Sequence, residues 1–403
     1  MMTHRFARIR RFRFNLPQRI AAGLLAVFLA QGLWLTGHQT LTDRDYHYAD
    51  CGRRSWEQPA NFAAGLTPCG STPDGILAYR LAGLPLTLNL LAERGLDSFR
   101  KPEDQVVQTQ GWLSTWELRH QLTHTLLLLR LPFLGAGCVL GAGLWWVTRR
   151  LYGNLGGYTA LGLYCFSPAV LRACVASSPE VLAALGVYGG VYTCIGVAHA
   201  MQGPRRKGWL RIVLLTAAFG LAAASHIAAL GLVVLLGLVA MLWVAEGHRV
   251  QVLLVVLMAV AGAQVVVFAG YDFCPAAFSY FFRSTAGLVA LSLDPARRFF
   301  STLANAGITV AAAAALVLYL GVRRSRYFGN SVPLICASIL MALIMTGAPG
   351  SPLLWALPFL LTLIGGVFAD AYEGPRGRLA MGAAGAIVLL QAVFCVLSLP
   401  GLL

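Results

Sequence analysis

Residues 20–50 read IAAGLLAVFLAQGLWLTGHQTLTDRDYHYAD: an apolar stretch as far as Thr36, then a polar segment that opens with two acids, Asp43 and Asp45. About 17 to 25 apolar residues cross the ~30 Å hydrocarbon core of a bilayer, so the first part predicts a transmembrane helix. Arg5, Arg8, Arg10, Arg11, Arg13 and Arg19 lie on its N-terminal side. Short basic flanks stay in the cytoplasm, which puts residues 1–19 inside and the segment after His38 outside. A signal peptide has the same order of charge and apolarity. Here Gly-His-Gln-Thr follows Thr36 and offers no small-residue cleavage site, so the helix reads as an uncleaved anchor.

Working outward, the rest of the chain repeats the pattern. Of its 403 residues 58% are hydrophobic and 12% charged, and the mean hydropathy is +0.68. One soluble core cannot bury that much apolar surface, so lipid must solvate most of it. Further apolar runs occur at 126–148, 155–172, 181–201, 209–225, 227–245, 251–270, 302–322, 332–348, 352–369 and 379–400. The expected fold is therefore an all-α polytopic integral membrane protein of about eleven helices. A net charge of +15 would suit a nucleic-acid partner, but Lys and Arg sit in short clusters between apolar runs and form no aromatic-interleaved stripe, a pattern that belongs to membrane topology and argues against nucleic acid.

Those clusters set the topology. Arg149 and Arg150, then Arg205, Arg206 and Lys207, then His248 and Arg249, then Arg323, Arg324 and Arg326, then Arg376 and Arg378 all fall on one side when crossings are counted from an inside N-terminus. That agreement places the C-terminus in the periplasm. Residues 76–92 are apolar too, but Arg80 and Pro85 in their middle favour an amphipathic helix on the outer leaflet. The chain is thus one membrane domain: a basic cytoplasmic segment 1–19, a large periplasmic loop 38–125 carrying surface helices, and a helical bundle 126–403. The loop holds ten of the sixteen acids: Asp43, Asp45, Asp50, Glu57, Asp74, Glu93, Asp97, Glu103, Asp104 and Glu117. Chemistry is expected in or under it.

Seven of nine cysteines lie in or beside apolar runs without CxxC spacing, which makes them packing residues and leaves no metal cluster. Cys51 and Cys69 share the outer loop, and a disulfide between them and two free thiols are equally consistent with the sequence. Glu180 is the only acid between Glu117 and Glu246; it stands at the mouth of an apolar helix, where an ionisable group either faces a cavity or answers the helix dipole after Pro179. Arg130, inside an apolar run, must meet an acid or a phosphate or snorkel to the interface. Arg172, Arg283, Arg297 and Arg298 are outer-side cations that can collect an anionic head group. His226 can bond a phosphate oxygen or satisfy a backbone carbonyl, and Trp112 and Trp116 read as interfacial anchors.

A long first outer loop opening on acids, followed by a membrane-hugging helix, resembles the lipid-linked sugar transferases of the GT-C fold, in the branch of protein mannosyltransferases and aminoarabinose transferases. The resemblance rests on Arg130-Leu-Pro-Phe-Leu, Arg149-Arg-Leu-Tyr-Gly, Tyr164-Cys-Phe-Ser-Pro-Ala-Val-Leu and Ser178-Pro-Glu-Val-Leu, in that order. Phe219-Gly-Leu-Ala-Ala-Ala-Ser-His226 and Ser351-Pro-Leu-Leu-Trp-Ala-Leu-Pro358 extend it to residues 20–370. Two positions depart from the pattern: the basic residue expected before the late Leu-Pro helix is replaced by Gly-Ser, and His226 stands where Lys is common.

The resemblance implies an inverting membrane glycosyltransferase that moves a sugar from a polyprenyl-phosphate donor to an acceptor hydroxyl at the outer face of the bacterial inner membrane. Asp43 or Asp45 is then the general base, with Glu180 a supporting acid and Arg130, His226 and Arg283 contacts to the donor phosphate. The implied partners are membrane lipid, the polyprenyl-phosphate-linked sugar and a glycan, lipid or protein acceptor. No cofactor beyond the donor is required, and a divalent metal is compatible but not demanded. The rivals are a non-catalytic GT-C-like subunit of a membrane complex, suggested by the two departures, and a lipid or solute transporter, for which repeats and mid-membrane acids would be expected.

Overall fold

In the computed structural model, residues 15–57, 75–97, 122–202, 208–245, 247–284, 289–321, 327–345 and 352–402 are described. Asn15 starts the first helix, α1 (Leu16–His38), with a capping box to Gln18. The outer-loop helices α2 (Asp43–Glu57) and α3 (Ile76–Asp97) follow. Next come α4 (Leu122–Cys165), the short α5 (Pro168–Val175), α6 (Glu180–Met201), α7 (Gly208–Ser225), α8 (Ile227–Val244) and α9 (Arg249–Gly270). The remainder is α10 (Pro275–Ser284), α11 (Asp294–Ser301), α12 (Ala306–Gly321), α13 (Tyr327–Met341), α14 (Leu353–Tyr372) and α15 (Gly377–Ser398).

Eight helices among the described residues are long and apolar enough to cross a membrane by themselves, and α7 and α13 are shorter apolar helices. One of the eight, α4, is two limbs. Gly153 sits at φ +86°, a left-handed conformation that glycine adopts without steric cost, and turns the chain there. Tyr164 donates a hydrogen bond to the Gly137 carbonyl at 2.6 Å, and Gly157 lies against Trp145 and Arg149, so the limbs run back along each other. Counted this way, each apolar run in the sequence has a helix over most of its length, the run 332–348 leaving its helix after Met341.

Two local features differ from the sequence reading. The run 155–172 is broken, because Pro168 cannot continue the helix and Ser167 instead caps α5, its hydroxyl accepting from Val170 N. A short antiparallel pair, β1 (Val289–Leu291) with β2 (Leu343–Met345), joins two loops, Ala290 opposite Ile344.

The centre of the bundle is α14, buried from Leu354 to Ala369, with α4 and α6 packed on it. A helix apolar on all faces belongs in such a place. On α9, α12 and α15 large apolar side chains such as Leu257, Val317 and Leu397 are exposed instead, as a lipid-facing rim requires.

Contacts between loops sort into two ends. At one, Asp45 meets Arg130 and Ser177, Gly75 N donates to Ser225 O, and Arg80 reaches Gly270 O and Asp272. Glu180 meets Trp355 at this end too, and β1 pairs with β2. At the other, Tyr152 donates to Gly329 O, Gln202 to Val244 O at 2.6 Å and Asn330 to Asp370 at 2.7 Å. The alternation deduced from the basic clusters assigns these groups to the same two ends.

Candidate functional site

Two polar clusters lie at the acid-bearing end, and the first begins with local sequence. Thr42 precedes α2, and Asp45 stands three residues on, the spacing of a capping box. Asp45 N donates to the Thr42 hydroxyl at 3.2 Å, and the Asp45 carboxylate accepts from Thr42 N at 3.2 Å and from the Thr42 hydroxyl at 2.7 Å. The same carboxylate accepts Arg130 Nη2 at 2.5 Å and, on its other oxygen, the Ser177 hydroxyl at 2.7 Å and Arg130 Nε at 3.4 Å. Asp45 is 2% exposed and Arg130 3%.

Arg130 is satisfied in turn. Its Nη1 donates to Gln39 Oε1 at 2.7 Å and its Nη2 to Thr40 O at 3.4 Å, and Gln39 Nε2 reaches Leu402 O at 2.8 Å. Burial alone pushes the Asp45 carboxyl up. The Arg130 guanidinium, Ser177 and Thr42 outweigh that and hold it below its ordinary value. Asp43, two residues earlier at the start of α2, is exposed. The two acids that sequence could not separate therefore occupy opposite situations.

The second cluster starts three residues beyond Ser177. Glu180 follows Pro179 at the N-terminus of α6, where the helix dipole favours a carboxylate. Its Oε2 accepts the Trp355 indole N–H at 3.0 Å, and its Oε1 lies 3.7 Å from His226 Nε2, beyond hydrogen-bond length. Neither of those last two atoms has a hydrogen-bond partner among the described residues. His226 is buried at the break between α7 and α8, its ring 5.7 Å from that of Trp355.

The structure thus joins Asp45 to Arg130 and Glu180 to His226, with the Ser177-Ser178-Pro179 turn linking the pairs. Arg283 falls on α10 and its side chain lies outside the described residues, as do Trp112 and Trp116. Cys51 is disulfide-bonded, and Cys69 lies outside the described residues. Among the described residues no three His, Cys, Asp or Glu converge as a metal site. Ser177, Gln39 and Trp355 were not anticipated. Thr42 could have been, from the Thr-x-x-Asp spacing, whereas the others bond across the fold and leave no local signal.

An exposed acid and a buried ion pair at one end of a bundle of long apolar helices make this a polytopic membrane protein, and its GT-C architecture rests on comparison with known structures. Two solved structures carry that assignment, both of ArnT from Cupriavidus metallidurans. The apo state superposes with a TM-score of 0.55 at 13% identity, covering 95% of this chain and 76% of that one. The form bound to undecaprenyl phosphate gives 0.54 at 14%, covering 95% and 70%. The GT-C fold expected from the sequence resemblance is the fold of this chain. No family model matches the sequence, and no curated protein does.

Proposed function

We propose that this protein is a glycosyltransferase of the bacterial inner membrane that takes its sugar from a polyprenyl phosphate and transfers it at the periplasmic face. The observation that carries this reading is the pairing of Asp43 with Asp45 at the start of α2. One is exposed directly after the first crossing helix, while the other is locked to Arg130 a half-turn away. A lipid-borne donor presents its head group at that depth.

Asp43 is the general base and Asp45 its anchor. A carboxylate whose oxygens already accept from Arg130, Thr42 and Ser177 is a weak proton acceptor, whereas an exposed one is free to take a proton. The acceptor hydroxyl oxygen attacks the anomeric carbon, its proton passes to the Asp43 carboxylate, and the bond from that carbon to the phosphate oxygen breaks. Polyprenyl phosphate leaves, and the anomeric configuration inverts. The departing phosphate needs a cation. Arg130 is committed to Asp45, Gln39 and Thr40, which leaves His226 and Arg283 for that role, with Glu180 setting the position of the His226 ring. In this reading residues 1–19 are cytoplasmic, 38–125 periplasmic, 126–403 the bundle, and the C-terminus is periplasmic. The Cys51 partner is Cys69.

The test is release of polyprenyl phosphate from a panel of polyprenyl-phosphate sugars by the purified protein in lipid, with extracts supplying the acceptor. Asp43→Asn is expected to lower turnover about a hundredfold or more. A folded protein without turnover on any donor would sink the reading. It would instead favour a non-catalytic subunit, a view supported by Arg130 and His226 each already facing an acid.

A further inference from the structure

At the end opposite to Asp43, a crevice of about 840 Å³ opens between α12, α14 and α15. Gln391 explains why it exists. This buried side chain of α15 donates to Phe166 O at 2.8 Å and Ala304 O at 2.9 Å and accepts Ile308 N at 3.1 Å, while Gly307 lets the helices touch. Those bonds pin α15 to the start of α12. Toward the other end, Ala313, Ala314, Ala380 and Ala383 line the facing surfaces and are too short to fill the space, and Phe368 of α14 lines it as well.

We propose that this crevice is a binding site for an anionic glycerophospholipid of the cytoplasmic leaflet, one acyl chain lying along the alanines and the phosphate meeting Arg376. The volume falls in the range of roughly 300–1,000 Å³ typical of ligand sites, and the lining is almost wholly apolar. Charge chooses the head group. Asp370, the acid that lines the crevice, is bonded by Asn330 at 2.7 Å, and Glu373 has an interaction of its own. Arg376 lines the mouth and is exposed, and Arg378 is exposed beside it. An anionic phosphate is the complement of that cationic mouth. The polyprenyl donor is not the occupant, because the crevice and Asp43 lie at opposite ends of the bundle.

The leaflet assignment rests on the orientation proposed above, but the site does not, and its test needs no sugar transfer. The purified chain is equilibrated in micelles holding equimolar palmitoyl-oleoyl phosphatidylglycerol and phosphatidylethanolamine, and retained lipid is counted by native mass spectrometry. The wild type is expected to retain phosphatidylglycerol in preference. Ala383→Phe fills the crevice and should abolish the preference. Arg376→Gln, at an exposed position that folding tolerates, should lower it about fivefold. Arg249→Gln, at the same end but off the crevice, should leave it unchanged. Equal retention of the two lipids by the wild type overturns the proposal, as does an unchanged preference in Arg376→Gln or an equal fall in Arg249→Gln. Loss of transferase activity would bear on the function and leave these ratios as they are.

Discussion

Asp43 and Asp45 differ by two positions and by everything that burial does to a carboxylate. Asp45 lies with Arg130 out of reach of water, so Asp45→Asn leaves a buried guanidinium without its counter-charge, a loss of about 3–5 kcal/mol. A markedly lower thermal unfolding midpoint is expected for that variant and a wild-type midpoint for Asp43→Asn, whose defect is in turnover alone. Equal midpoints would contradict the division of roles. The pH dependence follows from the same pair. Arg130, Ser177 and Thr42 hold the folded-state pKa of Asp45 below its ordinary 3.8, against the opposing pull of burial. Stability from this group is therefore complete above about pH 3.8 and is lost as pH falls through the folded value. Thermal midpoints recorded from pH 6 down to pH 3 should decline more steeply at the acid end for the wild type than for Asp45→Asn, which has no carboxyl there to protonate.

Among the elements, α2 and α3 hold Asp43 in place, and they do so by backbone approach. A Cβ on Gly83 would land on the backbone of Gly52 and Arg53, and one on Gly52 would land on that of Tyr79 and Gly83. Tyr48 stacks on Tyr79 at 4.5 Å beside this crossing, and the Trp56 indole donates to Arg80 O at 2.8 Å. Gly83→Ala must push the helices apart and is expected to cost about 1–3 kcal/mol. It should also reduce turnover, since α2 carries Asp43; a variant with the wild-type midpoint and rate would show that the contact is not needed. Sequence could place α3, because the apolar run 76–92 marks a helix whatever surrounds it, but it left α2 inside a polar loop, since Asp43–Glu57 carries no apolar run. It could also require a partner for Arg130, since a charge in an apolar run is costly. It could not choose Asp45 for Arg130, Ser177 for Asp45 or Trp355 for Glu180, because those bonds join residues between 85 and 175 positions apart. The hairpin at Gly153 and the break at Pro168 were written in the sequence as glycine and proline, yet neither letter alone states which way the chain turns.

For the whole molecule, the contacts fix which loops share an end but not which end faces the cytoplasm. The strand pair β1–β2 and the bonds Asp45–Ser177, Gly75–Ser225 and Arg80–Asp272 tie the acid-bearing loops together. The opposite end carries Arg149 over the Trp145 ring and Arg150 over the Trp146 ring, at 5.0 and 5.3 Å, an arrangement suited to an interface. Arg249, Arg376 and Arg378 lie at that end as well, and the orientation proposed above, with basic loops held in the cytoplasm, would set the entire bundle at once. Reporter fusions test this without touching the site. Alkaline phosphatase, active only in the periplasm, should be active when joined after Asp272, where α9 has ended, and silent after Gly203, where α6 has ended. A fluorescent protein that matures only in the cytoplasm should give the reverse. Because the contacts bind all the loops of one end together, a single inverted pair would turn every other loop with it. It would carry Asp43 to the cytoplasmic face, and a donor presented in the periplasm could not reach it.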